Sequence, residues 1–165
     1  MEKRPVIKLH LSFFDRLTEA AGWILLLLLW SFTIYLWITL PDAVPIHFNA
    51  AGQVDSKGSK ETLLVLPVIG SFVFALITLL NKHPHIFNYM VKITSDNAER
   101  QYTLATRMMR YLKLCILLIF LSLTIFTFLI STGKASGLGA WFLPATLVLI
   151  FLPTIYMVAG SFKMK

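Results

Sequence analysis

The chain has 165 residues, 57% of them apolar and only 14% charged, with a formal net charge of +7 and one cysteine. A soluble domain carries about 25% charged residues, so this composition makes lipid rather than water the main solvent. It excludes an internal disulfide framework, which needs cysteine pairs, and the basic charge is not accompanied by any nucleic-acid-binding motif.

The opening stretch MEKRPVIKLHLSFFDRLTEA is amphipathic. Pro5 delays any helix, and the sequence places Phe13, Phe14 and Leu17 at the membrane interface with Asp15 and Arg16 in water. Four apolar runs follow, at 21–40, 62–80, 112–130 and 140–160. Each is apolar all round for about twenty residues, the length that crosses a hydrocarbon core about 30 Å thick. No Asp, Glu, Arg or His lies inside any run, and Lys113 sits at the edge of the third, where its stem reaches the headgroups. The expected fold class is all-α: one polytopic membrane domain, a bundle of four transmembrane helices with a short folded extracytoplasmic loop after the first. The first run exceeds the apolar length of a secretory signal, about 7–15 residues, and WITLPDAVP offers no small-x-small cleavage site. It is expected to stay as an anchor. Trp23, Trp30 and Trp37 share one helical face, read as interfacial anchoring plus packing of Trp30 against a neighbour.

Residues 41–61 read as an extracytoplasmic cap rather than slack chain. Pro41 stops the first helix. Pro45 and its β-favouring neighbours predict an extended segment in which Ile46 and Phe48 face one way and His47 and Asn49 the other. Gly52 supplies a turn through positive φ, and the return strand brings Asp55 toward His47 or Asn49. Gly58 makes a second turn, and Ser59 is placed to cap the second helix. His47, Asn49, Asp55 and Lys60 are the candidate ligand-binding residues; the alternative is that His47, Asn49 and Asp55 hold the shape of the cap. Pro41, Pro45, Phe48, Gly52, Gly58 and Ser59 are the structural set. One His and one Asp fall short of a zinc site, so neither metal nor cofactor is expected.

Residues 81–111 form a loop and a helix extension expected to be cytoplasmic. Asp96 and Glu99 look like a capping pair for the third helix. From there to Ser131 the helix is about 54 Å long at 1.5 Å per residue, so it overshoots the membrane. Arg100, Arg107, Arg110 and Lys113 form a basic stripe around the protruding part, read as headgroup anchoring or as a dock for an acidic partner. His83 and His85 read as solvated loop residues. PIHFN at 45–49 and PHIFN at 84–88 both follow a span, as an inverted repeat would. Pro67 with Gly70, and Pro144 and Pro153, loosen the second and fourth helices. Of the Lys and Arg residues, only Lys57, Lys60 and Lys134 fall on the cap side. This bias predicts cytoplasmic termini and an outward cap.

The pattern from Leu40 to Lys60, Leu-Pro, then Pro-x-His-Phe-Asn, then Gly, Asp and Gly-Ser-Lys, resembles the N-terminal domain of unknown function of SdpI-like bacterial membrane proteins. The resemblance covers the first two spans and the loop between them, and FNYMVKITSDNAERQY also looks like small members of this group, with Met90 where Pro is expected. It implies a bacterial plasma-membrane protein that senses, or gives immunity to, a membrane-active peptide. The Gly-x-Arg-Thr-Pro signature of the second half of full-length members is absent from this sequence.

The expected role is thus non-enzymatic, with the lipid bilayer as one partner, a peptide ligand or membrane-protein partner as another, and no nucleic acid. The alternatives are a small transporter or channel component, or a structural partner in a membrane complex. Spans without ionisable groups argue against an ion relay. Catalysis is not expected, because there is no His-Glu-x-x-His run and no His within a span to activate a serine or Cys115.

Overall fold

The computed structural model describes residues 4–163; Lys3 and Lys165, counted above toward the basic side, lie outside the described residues. The element order is α1 (Phe13–Thr39), β1 (Ala43–Phe48), β2 (Val54–Ser59), α2 (Val65–Leu80), α3 (Ala98–Ser131) and α4 (Phe142–Lys163). A short 3₁₀ turn, Lys60–Leu64, leads into α2, and together they span Lys60–Leu80. That segment, α1, α3 and α4 are each long and apolar enough to cross a membrane.

Helix α1 starts at Phe13, two turns before the first apolar run. The reason is local. Ser12 Oγ accepts from the Asp15 amide at 3.2 Å while the Asp15 carboxylate accepts from the Ser12 amide at 2.9 Å, a reciprocal cap that satisfies two orphan donors. The helix ends at Leu40, extended before Pro41, as pre-proline sterics require. Its buried residues are Asp15, Gly22, Leu26, Leu29, Thr33 and Leu36, spaced at three, four and seven along one face. This face is the inner stripe of the bundle.

Leu26, Leu29, Phe74 and Leu117 form the central core. Gly70 lets α2 approach closely: a Cβ there would lie 3.3 Å from both Leu29 and Leu117. Trp30 Nε1 donates to Ser71 Oγ at 2.9 Å, tying α1 to α2. Helix α4 packs on α3 and has no buried residue. At one end, Tyr102 donates to the Pro5 carbonyl at 3.0 Å and Gln101 to Ser161 at 2.8 Å. This basic end gathers the N-terminal segment, the 81–97 connection and the end of α4.

Three local readings are corrected here. Helix α3 is preceded by Asn97 rather than capped by the Asp96–Glu99 pair; the Asn97 side chain instead accepts from the Thr94 amide at 2.9 Å and donates to Lys92 at 3.0 Å. Ser59 makes no side-chain cap. PIHFN is largely strand, whereas PHIFN begins with a 3₁₀ turn. The two fragments have unrelated backbones, which removes the inverted repeat.

The cap is an antiparallel β-hairpin paired from Ala43↔Ser59 to Phe48↔Val54, with irregular register around His47. That irregularity breaks the simple alternation expected of Ile46, His47, Phe48 and Asn49. Gly52 has the positive φ a turn needs, 74°. Gly58 is no turn but lies inside β2, where a Cβ would run into the Ile46 side chain at 2.7 Å. The 132–141 loop docks on this hairpin: Gln53 bridges Gly137, and the Leu138 amide donates to Gly52 O at 2.7 Å. A Cβ on Gly52 would meet Gly139 O at 2.5 Å, and one on Gly137 would collide with Gly52 O. The two loops are joined backbone to backbone through glycines. Gly137→Ala is therefore expected to lower stability by about 1–3 kcal/mol, the usual cost of overpacking, and to speed amide exchange at Leu138. Gly160→Ala in α4, where nothing lies within 4 Å of the added carbon, should leave thermal unfolding unchanged or slightly raised.

Candidate functional site

Two clusters of polar side chains stand out, one at each end of the bundle. At the cap, Asn49 is the organiser of the hairpin turn. Its Oδ1 accepts from the Ala51 and Gln53 amides, both at 3.0 Å, and its Nδ2 donates to Gln53 Oε1 at 3.1 Å. His47 Nδ1 lies 2.6 Å from Asp55 Oδ1, with side chains 69% and 41% exposed. Lys60 pairs with Asp42 at 3.0 Å, at the base of the hairpin.

The four candidate ligand residues thus divide. His47 and Asn49 line a groove of about 530 Å³ between the hairpin and helices α3 and α4, floored by Phe48, Leu123, Leu138, Phe142 and Leu143. Asp55 holds His47 from behind, and Lys60 braces the hairpin base. Of the structural set, Pro41 ends α1, Pro45 is buried in β1, Phe48 joins the groove floor, and Gly52 meets the second loop.

The other cluster was not legible as a unit. Lys113, fully buried, donates to Glu19 Oε2 at 2.6 Å and to Thr78 Oγ1 at 3.0 Å. Its ammonium stands 4.3 Å from the centre of the Phe74 ring, a cation–π contact. Arg110 Nε reaches Glu19 Oε1 at 3.0 Å, and its Nη1 lies 3.5 Å from Asp15 Oδ1. Arg107 bonds Asp15 through Nε at 3.0 Å and Nη2 at 3.3 Å, and Ser12 through Nη2 at 3.2 Å. Gly22 makes room: a Cβ there would be 3.0 Å from the Phe74 ring and 3.6 Å from Lys113 Cε.

This corrects the basic stripe. Arg107, Arg110 and Lys113 turn toward α1, and their acidic partner is the chain's own Asp15 and Glu19; Arg100 alone of the four is exposed without an ion pair to either. Asp15 and Glu19 lie in the part of α1 that precedes the apolar run from residue 21, so they join α3 at the basic end of the bundle. The missed residues had a signal. Ser12-x-x-Asp15 is a helix-start pattern, and Asp15 and Glu19, four apart, face a basic series spaced by three.

These features define a class: a four-span membrane protein with a two-loop cap at one end and an internal ion-pair cluster at the other. Residues 24–70 match the family model described as a domain of unknown function, DUF1648, which takes in most of α1, the whole hairpin and the start of α2. An uncharacterized protein of Archaeoglobus fulgidus is 39% identical over 69 residues, 37% of this chain and 38% of that protein. The match thus spans well under half the length of that relative. No solved structure matches. The hairpin lies within the family segment, whereas the 132–141 loop, Asp15, Glu19 and α3 lie outside it.

Buried and exposed ion pairs differ in worth. Asp15→Ala leaves Arg110 without one of its carboxylates and removes the α1 cap, so a loss of about 3–5 kcal/mol is expected by unfolding in detergent. Asp55→Ala, at the exposed cap pair, should cost less than about 1 kcal/mol. Equal losses would contradict this division.

Proposed function

We propose that this chain is a non-enzymatic membrane protein whose cap receives a membrane-active, amphipathic peptide, for sensing or for immunity. The groove between the hairpin and α3–α4 supports this reading most directly: it has a polar lip of His47 and Asn49 over the apolar floor of Phe48, Phe142 and Leu143. An amphipathic helix lying in the membrane surface buries an apolar face and keeps a polar one wet, which is the polarity this groove offers. The crowding of Lys and Arg at the opposite end supports an extracytoplasmic cap and cytoplasmic termini. The resemblance of the 40–60 loop to SdpI-like proteins supports the same class of ligand and a bacterial plasma membrane.

A second reading, a small transporter, draws support from Lys113 and Glu19, because ionisable groups inside a membrane often mark ion pathways. Complete pairing of Lys113 with Glu19, Thr78 and Phe74 favours a structural clamp instead.

The test uses a synthetic Leu/Lys amphipathic peptide. Cells making the wild-type chain should survive it better than cells lacking the chain. Purified protein should bind it, and both effects should fall about tenfold in His47→Ala and in Leu143→Trp, which fills the groove. Unchanged survival and binding in both variants would overturn the proposal.

A further inference from the structure

A groove of about 290 Å³ separates α1 from α3 at the basic end, lined by Phe14, Asp15, Thr18, Arg107, Tyr111 and Leu114. Arg107 is the one cationic side chain in this lining. Arg107 spends Nε and Nη2 on Asp15 and Ser12, and its Nη1 has no hydrogen-bond partner among the described residues. The side chain remains 48% exposed. Asp15 has no capacity to spare for it: the carboxylate already accepts from the Ser12 amide and hydroxyl, from Arg107, and lies beside Arg110.

The charge count points the same way. Arg107, Arg110 and Lys113 face Asp15 and Glu19, three formal cations against two carboxylates. The cluster's excess positive charge attracts an anion to the half-exposed, open side of Arg107. The depth is that of headgroups. Asn81, just past the end of α2, donates to the Thr106 carbonyl at 3.4 Å, so Arg107 stands level with the end of a span. Around it the walls are apolar: Phe14, 72% exposed, the Tyr111 ring and Leu114. The Tyr111 hydroxyl is turned away to Leu149 on α4.

We propose that this groove binds an anionic phospholipid, whose headgroup phosphate accepts from the free edge of Arg107 while its glycerol and upper acyl chains lie against Phe14, Tyr111 and Leu114. Arginine suits the task because its guanidinium holds Asp15 and Ser12 through Nε and Nη2 while Nη1 still presents N–H donors to a phosphate oxygen. The lipid completes the charge balance of the α1–α3 interface, independently of anything bound at the cap.

The full-length chain in neutral detergent tests this by titration with phosphatidylglycerol, phosphatidylcholine or inorganic phosphate, read by thermal unfolding and by lipid retention in native mass spectrometry. Phosphatidylglycerol should raise the unfolding temperature and remain bound at one site, while phosphatidylcholine and inorganic phosphate do neither. Arg107→Gln should weaken that binding about tenfold, the scale of one charge-assisted contact. Leu114→Trp fills the groove with all five charges in place and should weaken it similarly, which keeps the test decisive if Arg107→Gln folds poorly. Equal stabilisation by phosphatidylcholine or by phosphate alone, or wild-type affinity in Leu114→Trp, would overturn the assignment.

Discussion

The structure hangs on the attraction between the acidic first turns of α1 and the basic face of α3. Taking a carboxylate or an ammonium out of water costs several kcal/mol per ion even after relaxation, and only close, hydrogen-bonded pairing recovers it. Lys113 is fully buried, so its Glu19, Thr78 and Phe74 contacts are conditions of its being there at all. They fix the rotation of α1 about its axis. Given that rotation, Leu26 and Leu29 meet Phe74 and Leu117 in the core, and Gly22 lies where Phe74 and Lys113 need space. Lipid tails supply no hydrophobic drive to bring helices together, so polar contacts and close packing decide which faces meet.

The far end follows from the same orientation. Leu36 and Leu40 form a cluster with Val44 and Leu63, so the inner stripe of α1 continues into the base of the hairpin. The hairpin is then held from two sides, below by this cluster and laterally by the glycine contacts with the 132–141 loop. Because that loop joins α3 to α4, the cap spans both halves of the chain. The groove beside His47 and Asn49 exists only where the two loops and the ends of α3 and α4 meet, which is why no single segment of sequence displays it.

The helical bundle was legible because all-round apolarity over a bilayer's width has one physical solution. The folded character of 41–61 was legible too, through Gly52 at a turn and the approach of Asp55 to His47. What escaped had weaker patterns. Asp15 was read as solvated and Glu19 was not singled out, because charge next to an apolar run usually faces water; their pairing depends on α3 returning alongside, a contact more than ninety residues away. Gly58 was read as a turn, whereas it is small because Ile46 lies across it. The docking of Gly137 on Gly52 is backbone on backbone and leaves no side-chain pattern. Asp96 and Ser59 looked like caps by residue type, but the helix starts were set by neighbouring turns.

The central claim is that Glu19 and Lys113 act as one unit in clamping α1 to α3. A double-mutant cycle in detergent-solubilised protein, with Glu19→Gln, Lys113→Met and the pair together, measures it most directly. The account predicts that each single change is strongly destabilising and that the double variant loses less than the sum, with a coupling above about 1.5 kcal/mol. Losses that add to within about 0.5 kcal/mol would show that the two residues contribute separately, and the clamp as described here would be wrong.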